Sequence, residues 1–385
     1  MIRFFKYFFS FFFIVFFGLH LFGYSYIIRG LKSTYFRFER SAQVDDAKFF
    51  YNDTLNKSSN PFYWPKSVYY NKKNLSLKLR SVLEKYKTHS FLIIHKDSIV
   101  HEEYWKEWAV TNNKSNSFSI AKSIVSLIAG IAVDKGYLSD FNHPVKSVFP
   151  EMDFFDSDYD VTIGDLLNMS SGLDWDENYY NPFNITARSY MTKDLTSLTK
   201  GLSFSSEAGL NYNYQSGATQ LASLMIEKLL MDSSSISFSE FSSIYFWEKI
   251  GASEEALWSL DRKNGVEKSF CCFHSNAKDF AKIGRLFLKK GKINENNIVL
   301  NEWYFDKILK SNIVNFYSFG WWKGSSLGIP IYYMRGFLGQ FIITIPEYDL
   351  IIVRLGRKNL RNKDNPDLPT APFEIYVEEV LKNYI

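Results

Sequence analysis

Residues 119–136 read SIAKSIVSLIAGIAVDKG. Apolar residues recur at helical spacing from Ile120, and Gly136 supplies a C-terminal stop. The spacing therefore predicts a buried helix that begins near Ser119. Ser119 and Lys122 stand three residues apart, about one helical turn, so they share a face. A serine alcohol is a weak nucleophile until a base removes its proton. A lysine held close and partly desolvated can be that base, because burial lowers its pKa. A serine at a helix start also offers its backbone N–H to a developing oxyanion. The same S-x-x-K spacing recurs at Ser197–Lys200, in a polar stretch. It recurs again at Ser275–Lys278, where Ser275 is expected to cap an amphipathic helix.

Upstream, SFLII at 90–94 and SIVHEEYW at 98–105 flank a polar turn at His95–Asp97, a hairpin pattern. Residues 140–300 are mixed and mostly helical; VTIGDLLNMSSG, ATQLASLMIEKLL and NAKDFAKIGRLFLKKG are the strongest runs. Three strand-like runs follow, IPIYYM, QFIITI and LIIVRLG, and then a terminal helix, FEIYVEEVLKNYI. Strands, a large helical insertion, more strands and a last helix imply an antiparallel sheet built from both ends of the chain and flanked by helices. The fold class expected is α+β, an α/β sandwich.

Several motifs in order carry a family resemblance over residues 85–360. NSFSIAKSIVSLIAGIAVDKGYLSDFNHPVKSVFPEM resembles the nucleophile region of the serine β-lactamase and penicillin-binding-protein superfamily, most closely its class C β-lactamase-like hydrolases such as 6-aminohexanoate-dimer hydrolases. VTIGDLLNMSSGLDWDE resembles the segment that follows. LNYNYQSGATQLASLMIEKL resembles the second motif, Y-x-N or Y-x-S before a helix. YSFGWW and MRGFLGQFIITIPEYDLIIVRLG resemble the closing strands.

The resemblance implies that Ser119 is acylated, that Lys122 assists it, and that Tyr214 relays protons to the leaving group. Tyr212 is the alternative to Tyr214, which is preferred because Ser216 follows at x+2 and the helix begins directly after. The third motif departs from the family. Met334-Arg335-Gly336 stands where relatives carry Lys-Thr-Gly or His-Thr-Gly, and Arg335, one residue late, is expected on the other face of its strand. That weakens the case for β-lactamase or transpeptidase activity. The N–H groups of Ser119 and Phe337 would form the oxyanion hole. Ser216, Gly336, Gly339, Gln340 and Trp322 are the candidate substrate contacts, with Gly336 and Gly339 allowing close backbone approach. Trp321 and Trp322 fit ordinary core packing equally well. Glu177 could act near the site, but a solvated loop carboxylate is the reading preferred.

The resemblance thus implies a serine hydrolase cleaving an amide or ester of a small molecule or peptide. It needs no cofactor or metal. The alternatives are a D-Ala-D-Ala peptidase or β-lactamase of the cell envelope, and a catalytically inactive envelope-binding protein.

The first residues carry a separate signal. From Tyr7 to Ile28 there is no Asp, Glu, Lys or Arg, and ten of the 36 phenylalanines fall within residues 1–28. Twenty-two uncharged residues suffice for about one bilayer crossing. A retained transmembrane helix over residues 7–28 is favoured over a cleaved signal peptide. Three regions are expected: an anchor or signal segment at 1–30, a juxtamembrane arm at 31–80 and the hydrolase domain at 81–385. Arg29, Lys32, Arg37 and Arg40 outnumber Arg3 and Lys6, so a charge count alone would hold the domain in the cytoplasm. The family argues instead for export, with the domain on the periplasmic side of a bacterial inner membrane, or secreted after cleavage.

Composition bounds the rest. Net charge is +4 from 45 basic and 41 acidic residues, which makes no case for nucleic acid. Hydrophobic residues at 46% can fill a large core. Cys271 and Cys272 are neighbours, so they cannot staple distant segments, and buried structural thiols are expected.

Overall fold

The computed structural model describes residues 2–39, 41–105, 113–153, 160–179, 181–294, 297–310, 313–360, 362 and 366–385, with backbone alone at 2–5, 8 and 9. Arg40, counted in the basic flank, lies outside them.

The strands in chain order are β1 (Asn52–Leu55), β2 (Thr88–His95), β3 (Ser98–Tyr104), β4 (Ser115–Asn116), β5 (Ala256–Ser259), β6 (Phe273–Ser275), β7 (Lys292–Asn294), β8 (Asn297–Ile298), β9 (Tyr317–Ser318), β10 (Trp321–Ser326), β11 (Ile329–Gly336), β12 (Gln340–Ile345) and β13 (Leu350–Gly356). Seven form one antiparallel sheet in the order β3-β2-β13-β12-β11-β10-β9. Strands from before and after the helical region meet within it, where Ile93 of β2 faces Ile352 of β13. The β2–β3 turn places Lys96 and Asp97 at positive φ, as a tight hairpin requires.

The helices are α1 (Ile2–Leu21), α2 (Ser25–Ser33), α3 (Leu77–Lys85), α4 (Ile120–Asp134), α5 (Ile163–Leu167), α6 (Ile185–Met191), α7 (Leu195–Lys200), α8 (Ser216–Ser234), α9 (Phe238–Ser242), α10 (Ala277–Leu288), α11 (Glu302–Leu309) and α12 (Ala371–Tyr384). Helices α3 and α12 contact each other as well as the sheet, and α10 packs on β2, β12 and β13. Strands β12 and β13 are buried at every position, which explains their unbroken apolar runs. Helix α4 buries every residue from Ile120 to Ala132 and packs against α8 and β11. A helix apolar all round belongs at the centre of a domain, and α4 lies there. The observed class is α+β with antiparallel sheets flanked by helices, as the order of elements predicts.

A second sheet, β1-β5-β6-β4, was not foreseen. Its strands are two to four residues long, too short for a periodic signal. It joins residues 52–55 to 256–259.

The amino-terminal run is broken. Gly23 adopts φ +78, and the segments Ser10–Leu21 and Ser25–Arg37 meet at 115°. No single helix among the described residues is long and apolar enough to cross a membrane; only this bent pair passes by length and composition. The single uninterrupted helix expected at 7–28 is therefore not what the backbone forms.

Two further expectations are corrected. Cys271 and Cys272 are joined in a vicinal disulfide where free thiols were expected. Ser275 ends β6, and the cap of α10 is Asn276, whose side chain accepts from the Asp279 N–H. Asparagine caps a helix as well as serine does, and the two stand side by side.

Candidate active site

The chain turns sharply into α4. Phe118 sits at φ +47, a left-handed conformation held by its N–H donating to Asn116 Oδ1 at 2.9 Å. Ser119 follows as the residue at the head of α4. Lys122, one turn on, is 2% exposed. Its Nζ donates to Ser119 Oγ at 3.0 Å and to the Phe270 carbonyl at 2.9 Å. Burial pushes this ammonium down to about 8, opposed by the negative charge of Glu177.

Tyr214 completes the cluster. Its phenol bears on the Ser119 hydroxyl as a hydrogen-bonding partner, and burial pushes its pKa upward. The Lys122 Nζ stands 5.1 Å from its ring centre. The segment is tied to the loop before it, since Asn213 N–H donates to Met169 O at 2.7 Å and Gln215 Nε2 to Leu173 O at 2.6 Å. Tyr212 instead packs against Phe316 and Tyr317, and among the described residues its buried hydroxyl has no hydrogen-bond partner. Of the two tyrosines, only Tyr214 is brought to Ser119.

Glu177 is not the solvated loop carboxylate expected of it. It accepts from Trp175 Nε1 at 2.6 Å, from the Ser216 N–H at 2.7 Å, from the Ser216 hydroxyl and from the Tyr179 phenol. A carboxylate on the first N–H of α8 is favoured by the helix dipole. It fixes the helix start immediately after Tyr214. Ser216 is buried and spends its hydroxyl on Glu177. No signal in the linear sequence says that these four donors converge.

Opposite Ser119, β11 ends at Gly336 and a short turn, Phe337–Gly339, leads into β12. The approach is close: a Cβ at Gly336 would lie 2.1 Å from the Ser117 carbonyl oxygen. Phe337 packs edge-on against Phe118 at 5.5 Å. Arg354, fully buried, donates from one guanidinium to Leu338 O, Gly339 O, Lys358 O, Tyr86 O and Thr88 Oγ1. Gln340 holds the turn from below, its Nε2 donating to Phe337 O and Gly356 O. Gly339, at φ +83, and Gln340 thus shape the turn.

A cavity of about 680 Å³ opens between these parts. Ser119, Tyr214, Glu177, Gly336, Phe337 and Arg335 are on its wall, as are Ser41, Arg357 and Lys358. Trp322 is buried behind the wall, tilted against Tyr214 with ring centres 5.6 Å apart; Trp321 lies in the core against Phe287. Met334 is fully buried. Arg335 does point the other way, yet the cavity reaches round to it. Its guanidinium covers Trp322 at 3.7 Å and donates to Pro366 O at 2.7 Å.

Replacing Gly336 by alanine is expected to force β11 away from Ser117. Melting should show a loss of about 1–3 kcal/mol, and kcat/KM should fall by about 10²-fold, since displacements near 1 Å carry that cost.

A serine, a lysine with a lowered pKa and a tyrosine meeting at the head of a buried helix, in this α+β frame, define a serine hydrolase of the β-lactamase type. The family described as Beta-lactamase matches residues 81–259. The chain is similar in structure to a Bacillus anthracis protein assigned as a 6-aminohexanoate-dimer hydrolase, with a TM-score of 0.73 and 16% identity, covering 88% of this chain and 92% of that one. It is similar also to a penicillin-binding protein homologue of Pyrococcus abyssi, with a TM-score of 0.62 and 19% identity over 80% and 77% of the two chains. A D-stereospecific amidohydrolase of Streptomyces gives a TM-score of 0.54 and 13% identity over 73% and 94%. The Beta-lactamase family match thus falls on the segment that carries Ser119, Lys122 and Tyr214, and the solved structures share the fold.

Proposed function

We propose that the protein cleaves an amide or ester through an acyl-enzyme on Ser119. Neutral Lys122 takes the Ser119 proton as Oγ bonds to the substrate carbonyl carbon. The N–H groups of Ser119 and Phe337 receive the oxyanion. Tyr214 passes a proton to the leaving amine or alcohol as the C–N or C–O bond breaks. Water then attacks the ester, giving its proton back through the same pair, and Ser119 is restored. The observation that carries this reading is the 3.0 Å contact between Lys122 Nζ and Ser119 Oγ in a site that excludes water from the lysine. Met334 buried in the core, at the position where relatives carry a cation, favours amidase or esterase chemistry over β-lactam turnover.

Stopped-flow hydrolysis of short-chain nitrophenyl esters tests the acyl-enzyme. A nitrophenol burst equal to the enzyme concentration is expected, with no acylation by labelled penicillin. Linear release from time zero across the ester panel, with penicillin bound covalently, would overturn the proposal.

Glu177 acts through Lys122 and α8. Its charge raises the Lys122 pKa, so Glu177→Gln is expected to shift the rising limb of the kcat/KM profile to lower pH. An unmoved limb would remove the electrostatic role.

We further propose that α1 embeds in a bilayer and that the domain lies on the exported side. The exposed apolar side chains of Phe11–Phe17 support this.

A further inference from the structure

A second cavity, of about 190 Å³, lies where α2 meets the catalytic domain. Arg29 and Lys32 of α2, Lys193 between α6 and α7, and Arg262 after β5 all reach its wall. Asp261 is the acid among them, and its carboxylate is occupied by the N–H groups of Leu195 and Val266 and by Arg262. Arg262 also donates to the Lys193 carbonyl and pairs with Asp194 at 3.6 Å. Among the described residues, no side-chain hydrogen bond or salt bridge engages the charged ends of Arg29, Lys32 or Lys193, although the charge of Asp261 bears on Arg29. Three cations with unused donors therefore converge on one concave space.

The setting of that space identifies its occupant. Helix α1 exposes Phe11, Phe12, Phe13, Ile14, Phe16 and Phe17. Helix α2 leaves it at 115° and is pinned to the domain, with Tyr26 donating to Pro182 O at 3.0 Å. With α1 along a bilayer normal, α2 runs close to the membrane plane. Arg29 and Lys32, three apart, share a face of it. Only four residues separate Leu21, the end of α1, from Ser25, the start of α2, at most about 14 Å at ~3.5 Å each, and from there α2 runs along the membrane surface. This sets the cavity at headgroup depth. The space corresponds to about six waters at ~30 Å³ each, room for a phosphate and part of its ester. The basic flank also changes meaning. Arg37 is bound to Asp45 and Asp46, each at 2.9 Å, and Arg29 and Lys32 line a cavity, so these residues belong to the folded domain as well as to the flank.

We infer that this cavity holds the phosphate of an anionic phospholipid and seats the catalytic domain on the membrane surface. The inference rests on the reading of α1 as a membrane anchor. Each cation near an anionic surface contributes about 1 kcal/mol, or roughly fivefold in binding.

Flotation of the full chain with vesicles separates the two ideas. Phosphatidylcholine vesicles should capture the protein through α1 alone. Adding one-third phosphatidylglycerol should raise the partition coefficient by about 10- to 100-fold, and about 1 M salt should erase that gain. The Arg29→Gln/Lys32→Gln/Lys193→Gln variant should keep the phosphatidylcholine capture and its ester hydrolysis but lose the gain. A control of equal charge, Lys57→Gln/Lys72→Gln/Lys249→Gln, should keep it. Absence of capture by phosphatidylcholine would overturn the anchor. No gain from phosphatidylglycerol, or equal loss in the control, would overturn the cavity's role. Millimolar inorganic phosphate at matched ionic strength should leave the gain intact; its displacement would assign the site to a soluble anion and contradict the inference.

Discussion

Ser119→Ala is expected to lower kcat/KM for every substrate by roughly 10⁴-fold or more, the scale seen when a nucleophile acting with its base is removed. The fold should be almost untouched. The Ser119 hydroxyl accepts one hydrogen bond from Lys122, and Lys122 keeps its second acceptor, the Phe270 carbonyl. Melting within about 1 kcal/mol of the parent with activity gone is the expected pair of results. Retained activity in the alanine variant would exclude Ser119 as the acylated residue.

Lys122→Met is expected to remove activity to a similar degree and at the same time to relax a cost in the fold. A pKa brought down to about 8 from 10.5 corresponds to roughly 3 kcal/mol at 1.36 kcal/mol per pH unit. The sign follows from proton binding. Below pH 8 the unfolded lysine is as protonated as the folded one, and the full penalty of burying the charge is felt. Between about 8 and 10.5 the folded lysine is neutral while the unfolded one is still charged, so stability rises with pH until both are neutral. Methionine has no charge to bury, but it leaves the Phe270 carbonyl without a donor, a loss of about 1–3 kcal/mol. A small net gain in stability near neutral pH is expected, shrinking as the pH is raised toward 10.5. Melting curves of the two proteins across that range measure it. A difference independent of pH would mean that Lys122 is not held at a lowered pKa. In the parent enzyme the same lysine predicts kcat/KM rising with pH through about 8, because only the neutral amine can take the Ser119 proton.

What was legible in the sequence depended on length and repetition. Helix α4 announced itself because a strongly apolar helix with a serine and lysine one turn apart at its start is a strong local pattern. Strands β11 to β13 were legible because both faces are buried and the runs are unbroken. The β1-β5-β6-β4 sheet was not, because its short strands come from distant segments and only their pairing makes them strands. The site divides the same way. Ser119, Lys122 and Tyr214 came from motif and resemblance, and the fold brings them together. Glu177 did not, because its role depends on Trp175, Tyr179 and Ser216 turning toward it in three dimensions. Ser216, Gln340 and Trp322 were expected to touch substrate; their side chains hold Glu177, the Phe337 turn and Tyr214 instead. The bend at Gly23 was hidden by the surrounding hydrophobicity, which says where a segment prefers to lie and little about its course.

The most direct test of the catalytic assignment is to treat the full chain with a fluorophosphonate and map the adduct by peptide mass spectrometry. The account predicts one adduct, on Ser119, formed faster as the pH rises through about 8 and absent from Ser119→Ala. Equal labelling of the alanine variant and the parent, or an adduct on another serine, would contradict it.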